Sequence, residues 1–184
     1  MNARGTVLLL VALISACGAG TKPGPSAETA EVSGPGSSSP GAATWTDSIT
    51  GLEWQIDPAG ETMGWDDARN HCAALGEGWR LPTVGELRSL IRGCSKTGAG
   101  GSCTVTDRCL PWSRCRNDDC GGCDPRTGSD DACSWPSELQ GTCIWYWSSS
   151  PDEDRPLSAW YVFFDGGAVN VNGVLGEMQV RCVR

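Results

Sequence analysis

A proline placed directly before a helix-opening box limits this chain most, in Gly78-Trp79-Arg80-Leu81-Pro82-Thr83-Val84-Gly85-Glu86-Leu87. The proline ring disfavours the helical conformation at Leu81, so residues 79–81 run extended into the turn. Thr83 and Glu86 then have Thr-x-x-Glu spacing. The hydroxyl accepts from the Glu86 amide, and the carboxylate accepts from the Thr83 amide. Behind the box, Leu87, Leu90 and Ile91 fall at i, i+3 and i+4, one apolar stripe facing a core. A strand-like run therefore turns sharply into a helix here, and that helix ends at Arg92-Gly93-Cys94.

The flanks read more simply. Thr44–Ile49 and Leu52–Ile56 are two strands around a Thr50-Gly51 turn, the second with Leu52, Trp54 and Ile56 on one face. Trp65–Leu75 is a helix whose inner face carries Trp65, Ala68, Cys72 and Leu75, with Gly76 at the left-handed cap position. Trp145–Ser150 is a strand. Ala159–Phe164 and Ala168–Val171 form a hairpin around Asp165-Gly166-Gly167. Met178–Val183 is a closing strand. Residues 94–143 fit neither period and hold eight of the 11 cysteines, so covalent links must order them.

So many cysteines point to an oxidising compartment. The N-terminus agrees. Arg4 precedes the apolar run Val7–Ile14, which has signal-peptide length and is too short to span a bilayer permanently. Leu13-Ile14-Ser15-Ala16-Cys17 looks like a bacterial lipoprotein box, with residues 1–16 removed and lipid placed on the Cys17 sulfur. From Gly18 to Thr44, 20 of 27 residues are Gly, Pro, Ser or Ala. Such a segment buries too little apolar surface to offset its ordering, so 17–44 reads as a lipidated, disordered tether and 45–184 as the domain. As a coil, the tether reaches roughly 30 Å from the membrane. The expected location is the cell membrane or outer membrane, with the domain facing periplasm or cell surface. The net charge of -8 excludes nucleic acid as a partner, because its phosphates would be repelled.

Several motifs in order carry a family resemblance. They are Thr50-Gly51-Leu52-x-Trp54-Gln55, the tryptophan-led helix with Cys72, and Trp79-Arg80-Leu81-Pro82-Thr83 before Glu86-Leu87. Trp147-Ser148-Ser149-Ser150, Ala159-Trp160 and Val180-Arg181-Cys182-Val183-Arg184 follow. The pattern resembles the Lcl C-terminal domain family, similar to C-type-lectin-like and formylglycine-generating-enzyme-like folds. The resemblance implies an α+β, C-type-lectin-like domain, two helices on a twisted antiparallel sheet, with its ends together and 94–143 a disulfide-rich insertion. It also implies that Cys72 on the first helix pairs with Cys182 on the last strand. Some relatives are adhesins for sulfated polysaccharides, and others are variable ligand-binding scaffolds. The Glu-Pro-Asn, Gln-Pro-Asp and Trp-Asn-Asp motifs of calcium-dependent lectins do not occur in the sequence.

With Cys17 lipidated, ten cysteines are left. Cys94, Cys103, Cys109, Cys115, Cys120, Cys123, Cys133 and Cys143 then form four bridges among themselves, in any of about 105 ways. The alternative for Cys120-Gly121-Gly122-Cys123 is a zinc knuckle, and export favours disulfides. Asn117-Asp118-Asp119, Asp124 and Asp130-Asp131 offer calcium-type oxygens without the spacing of a calcium loop, so they read as solvated acids. His71 is the only histidine and sits beside Cys72 on a helix, where neighbours do not face each other. Ser148-Ser149-Ser150 has no base to activate it and reads as a strand-end turn. No enzyme and no cofactor are expected. Trp112 and Trp135, among Pro, Ser and Gly of the insertion, are the candidate ligand-binding residues, for stacking on sugar rings or anchoring a protein. The expected function is a membrane-tethered binding module for a glycan or protein without calcium. The alternatives are a structural envelope lipoprotein and a metal-dependent enzyme.

Overall fold

The computed structural model describes residues 43–124 and 133–184. The expected signal segment, Cys17, nearly all of the tether, Arg126, Asp130 and Asp131 lie outside the described residues. The fold is α+β. Its elements are β1 (Thr44–Thr46), β2 (Glu53–Gln55), α1 (Trp65–Ala74), α2 (Val84–Ser89), α3 (Trp112–Cys115), β3 (Trp145–Pro151), β4 (Ser158–Phe163) and β5 (Ala168–Gly173). A single 3-10 turn, Asp118–Gly121, follows α3. The strands form two antiparallel sheets, β1-β2 and β3-β4-β5.

Met178–Val183 is not a continuous strand. It makes isolated bridges instead, Met178 to Met63, Gln179 to Tyr146, and Val183 to both Trp54 and Arg80. Its amides and carbonyls alternate between partners. Met178, Val180, Cys182 and Arg184 bond toward residues 53–63, while Gln179 bonds β3 and Val183 bonds Arg80. A backbone that bonds different partners in alternate residues finds donors and acceptors for many of its polar groups without a regular ladder on either side. The two sheets are therefore joined through residues 178–184 rather than forming one twisted sheet.

Strand alternation splits the core. One face of β3-β4-β5 presents Tyr146, Trp160, Val162, Phe164 and Val169 to Leu87 and Leu90 of α2 and to the insertion. The other presents Trp147 and Ala159 to Ala68 and Cys72 of α1 and to Val180 and Cys182. Trp54, Trp147 and Trp160 are fully buried. Cys72 bonds Cys182 across 110 residues, as the resemblance implied. Leu75 is exposed, because the helix has ended and Leu75 is its C-cap, before Gly76 at φ 69°.

The capping box forms as expected. Thr83 Oγ1 accepts from the Glu86 amide at 3.2 Å, and Glu86 Oε2 accepts from the Thr83 amide at 2.8 Å. Arg80 clamps the same carboxylate through two nitrogens at 2.7 and 2.6 Å. Burial pushes the Glu86 carboxyl up, but the Arg80 and Thr83 hydrogen bonds outweigh it and hold it below the usual range. Helix α2 is shorter than expected, ending at Ser89 with Leu90 as its C-cap, yet Leu87, Leu90 and Ile91 are all buried.

Candidate functional site

The insertion is a covalently stapled loop seated on α2. Its bridges are Cys94–Cys123, Cys103–Cys120, Cys109–Cys115 and Cys133–Cys143. Cys120 and Cys123 thus bond different partners, which leaves no thiol pair for zinc. Among the described residues no group of three or more His, Cys, Asp or Glu could hold a metal.

Two side chains fix the loop to α2. Arg88 is buried without a carboxylate partner, and its guanidinium donates to the carbonyls of Thr97 at 2.7 Å, Gly98 at 3.2 Å and Val105. Burial lowers its pKa. The cation replaces the hydrogen bonds that a strandless backbone lacks, because buried carbonyls must find donors somewhere. Asp107 returns the contact from the insertion. Its carboxylate accepts from the Gly85 amide at 2.9 Å and from the Thr83 hydroxyl at 3.0 Å. A Cβ at position 85 would lie 2.5 Å from Asp107 Oδ2, so a larger residue there would push the carboxylate out of this contact.

The third seam joins α3 to the β3–β4 loop. The Trp112 amide donates to Asp152 and Asp154 at 3.0 Å each, and Asp154 also accepts from the Ser113 amide at 3.0 Å and from the Ser113 hydroxyl. Hydrogen bonds from Ser113 and Asp152 hold Asp154 down to about 2, while burial raises Asp152. Arg155 stacks on the Trp112 ring at 3.6 Å and lies 3.6 Å from Asp152. Trp112 is therefore half-buried, with one ring face taken by a cation.

Trp135 corrects the sequence reading. It is only 8% exposed, packed against Phe164 at 5.0 Å and Tyr146 at 5.4 Å, with the Arg181 guanidinium 4.8 Å above it. It plugs the core between insertion and sheet, so it has no free face for a ligand. Arg181 itself is buried and donates to the carbonyls of Gln55, Ile56 and Gln140. The serine run is also not a strand-end turn. It lies inside β3 at a register irregularity, where Ser148 Oγ donates to the Trp160 carbonyl and Ser150 Oγ accepts from the Val84 amide. His71 is half-buried on α1.

An aromatic surface that the sequence reading passed over lies on the α1 side of the sheet. Trp145 pairs in register with Phe163 and stacks on it at 5.5 Å with a 23° interplanar angle, and Trp145 is 45% exposed. Phe163 stands opposite Ala168, and the next row sets Tyr161 beside Asn170. Asn172 follows on the same face. The Oδ1 atoms of Asn170 and Asn172 accept from the following amides, Val171 and Gly173, so both amide NH2 groups have no protein partner among the described residues. Helix α1 and residues 178–182 cover Trp147 and pack against Tyr161, while Trp145 at the end of the row stays exposed. The signal was present in the alternation of Trp145-Tyr146-Trp147, which puts its first and third rings on the face opposite Tyr146.

Among the described residues no helix is long and apolar enough to cross a membrane. No curated protein and no solved structure matches the chain significantly. The family model described as the Lcl C-terminal domain matches residues 43–184, the two-sheet domain and its stapled insertion together, and the chain belongs to that family.

Proposed function

We propose that this chain is an exported, membrane-tethered lipoprotein whose C-type-lectin-like domain binds a glycan or protein ligand without calcium. The observation that carries the binding reading is the exposed Trp145–Phe163 stack beside the free amides of Asn170 and Asn172. An aromatic face supplies a dispersion surface for the C–H face of a sugar, and amide NH2 groups donate to its hydroxyls. None of the residues in the row is charged, which favours a neutral glycan over an anionic one. The rows are set on paired strands, so little ordering opposes binding.

Trp145→Ala is expected to weaken retention of neutral oligosaccharides on an array by about tenfold or more, the usual scale for an interface aromatic, with an unchanged melting temperature. EDTA should change nothing. Retention of no oligosaccharide by the unaltered protein, equal retention by the variant, or release by EDTA would each overturn the glycan reading.

The anchor rests on Ile14-Ser15-Ala16-Cys17. Intact mass of the membrane-extracted protein should show a chain beginning at an acylated Cys17, and Cys17→Ser should be released from the membrane. An unmodified chain beginning elsewhere would end the lipoprotein reading.

A further inference from the structure

Two surfaces on opposite sides of the β3-β4-β5 sheet carry exposed apolar side chains beside charges of opposite sign. On the α2 side, a groove of about 590 Å³ runs between the β1–β2 turn, the end of α2 and the start of the insertion. Ile49, Ile91 and Ala99 give it apolar walls, and Arg92 lies on its rim. A second groove of about 410 Å³ shares Ala99 and adds Arg88 and Arg108. Ile49 is 81% exposed at the mouth. Residues 88–116 hold six basic side chains (Arg88, Arg92, Lys96, Arg108, Arg114, Arg116) and one acidic, Asp107, in a chain of net charge -8. Asp107 is spent on α2, and the ion pairs among the described residues involve other arginines. Arg88 is spent on the insertion's carbonyls and Arg92 donates to the Ser89 carbonyl at 2.6 Å, but Lys96 and Arg108 are exposed and make no ion pair among the described residues, so they are left for an outside anion.

On the α1 side the relief is reversed. Leu157 is 79% exposed and Leu175 is 93% exposed, brought together where the Val174 amide donates to the Leu157 carbonyl at 2.9 Å. Leu157 has φ 66°, a left-handed conformation that a branched side chain rarely adopts and that glycine would take freely. The fold gains little apolar burial from this leucine, which is left in water. Around this apolar knob stand Asp66, Asp67 and Glu177, which with Val174 and Leu175 line a shallow cleft at the start of α1.

We propose that the chain associates with a second copy of itself head to tail. The leucine knob of one copy seats in the Ile49–Ile91–Ala99 groove of the next, and Asp66, Asp67 and Glu177 meet Lys96 and Arg108. Knob and groove lie on opposite sheet faces, so one copy cannot satisfy itself. The contact is heterologous, and it propagates into a ring or a row of copies. This association shares no residue with the sugar platform.

Sedimentation velocity on the full chain tests it, over a concentration series at low ionic strength and in about 1 M salt, where charge interactions reach only about 3 Å. Species beyond dimer should form at low salt and fall to monomer at high salt. Lys96→Glu/Arg108→Glu, which spoils the groove, and Asp67→Lys/Leu175→Asp, which spoils the knob, should each weaken association by about tenfold or more. All four positions are exposed, so the melting temperature should hold in both. An equal mixture of the two variants should form a dimer that grows no further, because each retains one intact surface. Leu157→Gly should melt at or above the parent temperature and associate more weakly. A monomer at every concentration, association unaffected by these substitutions, or a mixture that stays monomeric would overturn the proposal.

Discussion

The scaffold and the insertion solve the same problem in opposite ways. In the scaffold, buried tryptophans pack between strands and helices, and one long-range bridge, Cys72–Cys182, closes it. In the insertion, the only regular structure described is one turn of α3 and a 3-10 turn, so its backbone is held by four short-range bridges and by Arg88. Apolar burial is non-directional and needs extended faces, whereas cross-links and guanidinium donors can order a chain that has none. The lesson is that an acidic domain uses its buried arginines as backbone donors, at Arg88 for the insertion and Arg181 for the seam between insertion and scaffold.

If that division holds, the largest effect comes from the scaffold bridge. Replacing Cys72 and Cys182 by serine should lower stability by about 4–5 kcal/mol through the entropy of a loop this long, whereas Cys109–Cys115, closing a short one, should cost about 2 kcal/mol. Denaturant unfolding of both variants measures the contrast, and equal losses would break it.

Arg88→Met should come next. It strands three buried carbonyls and should cost about 3 kcal/mol, felt by the insertion alone. Hydrogen exchange should rise across 95–108 while β3 to β5 stay protected. A uniform rise would mean that the two regions unfold as one.

Thr83→Ala is the smallest, about 1 kcal/mol for a lost N-cap, and it sharpens the comparison because Thr83 serves both the capping box and Asp107. Acid should act on the same point. The folded Glu86 carboxyl sits below its unfolded value, so its contribution is complete above about pH 4.3 and is lost as pH falls through the folded value. Melting temperatures should therefore converge between parent and Glu86→Gln as the solution is acidified. A constant gap down to pH 2 would remove Glu86 from the account.

Local chemistry was legible in the sequence, and long-range choice was not. The Thr83–Glu86 box, the Gly76 cap and the hairpin around Asp165-Gly166-Gly167 depend on residues within one turn of each other, and each stands where it was expected. The pairing of the eight insertion cysteines depends on how the loop lies on α2, which no spacing encodes. Trp135 was misread because its Pro and Ser neighbours look like an exposed loop, while its burial is decided by Tyr146, Phe164 and Arg181, distant in sequence. The Trp145–Phe163 stack escaped for a related reason. Its exposure depends on where α1 stops covering the sheet, a tertiary fact.

The alternating bonds of residues 178–184 bear on how the protein is made. Val180, Cys182 and Val183 complete both halves of the core, while Gln179 bonds β3, Cys182 bonds β2 and Val183 bonds Arg80. During directional synthesis, everything from Thr44 to Gly173 emerges before that segment does. The nascent domain therefore lacks its central seam until these residues arrive, and Cys72 waits as a thiol through the emergence of eight other cysteines. A thiol exposed for so long can join wrong partners, and every such bridge must be exchanged before Cys72 meets Cys182.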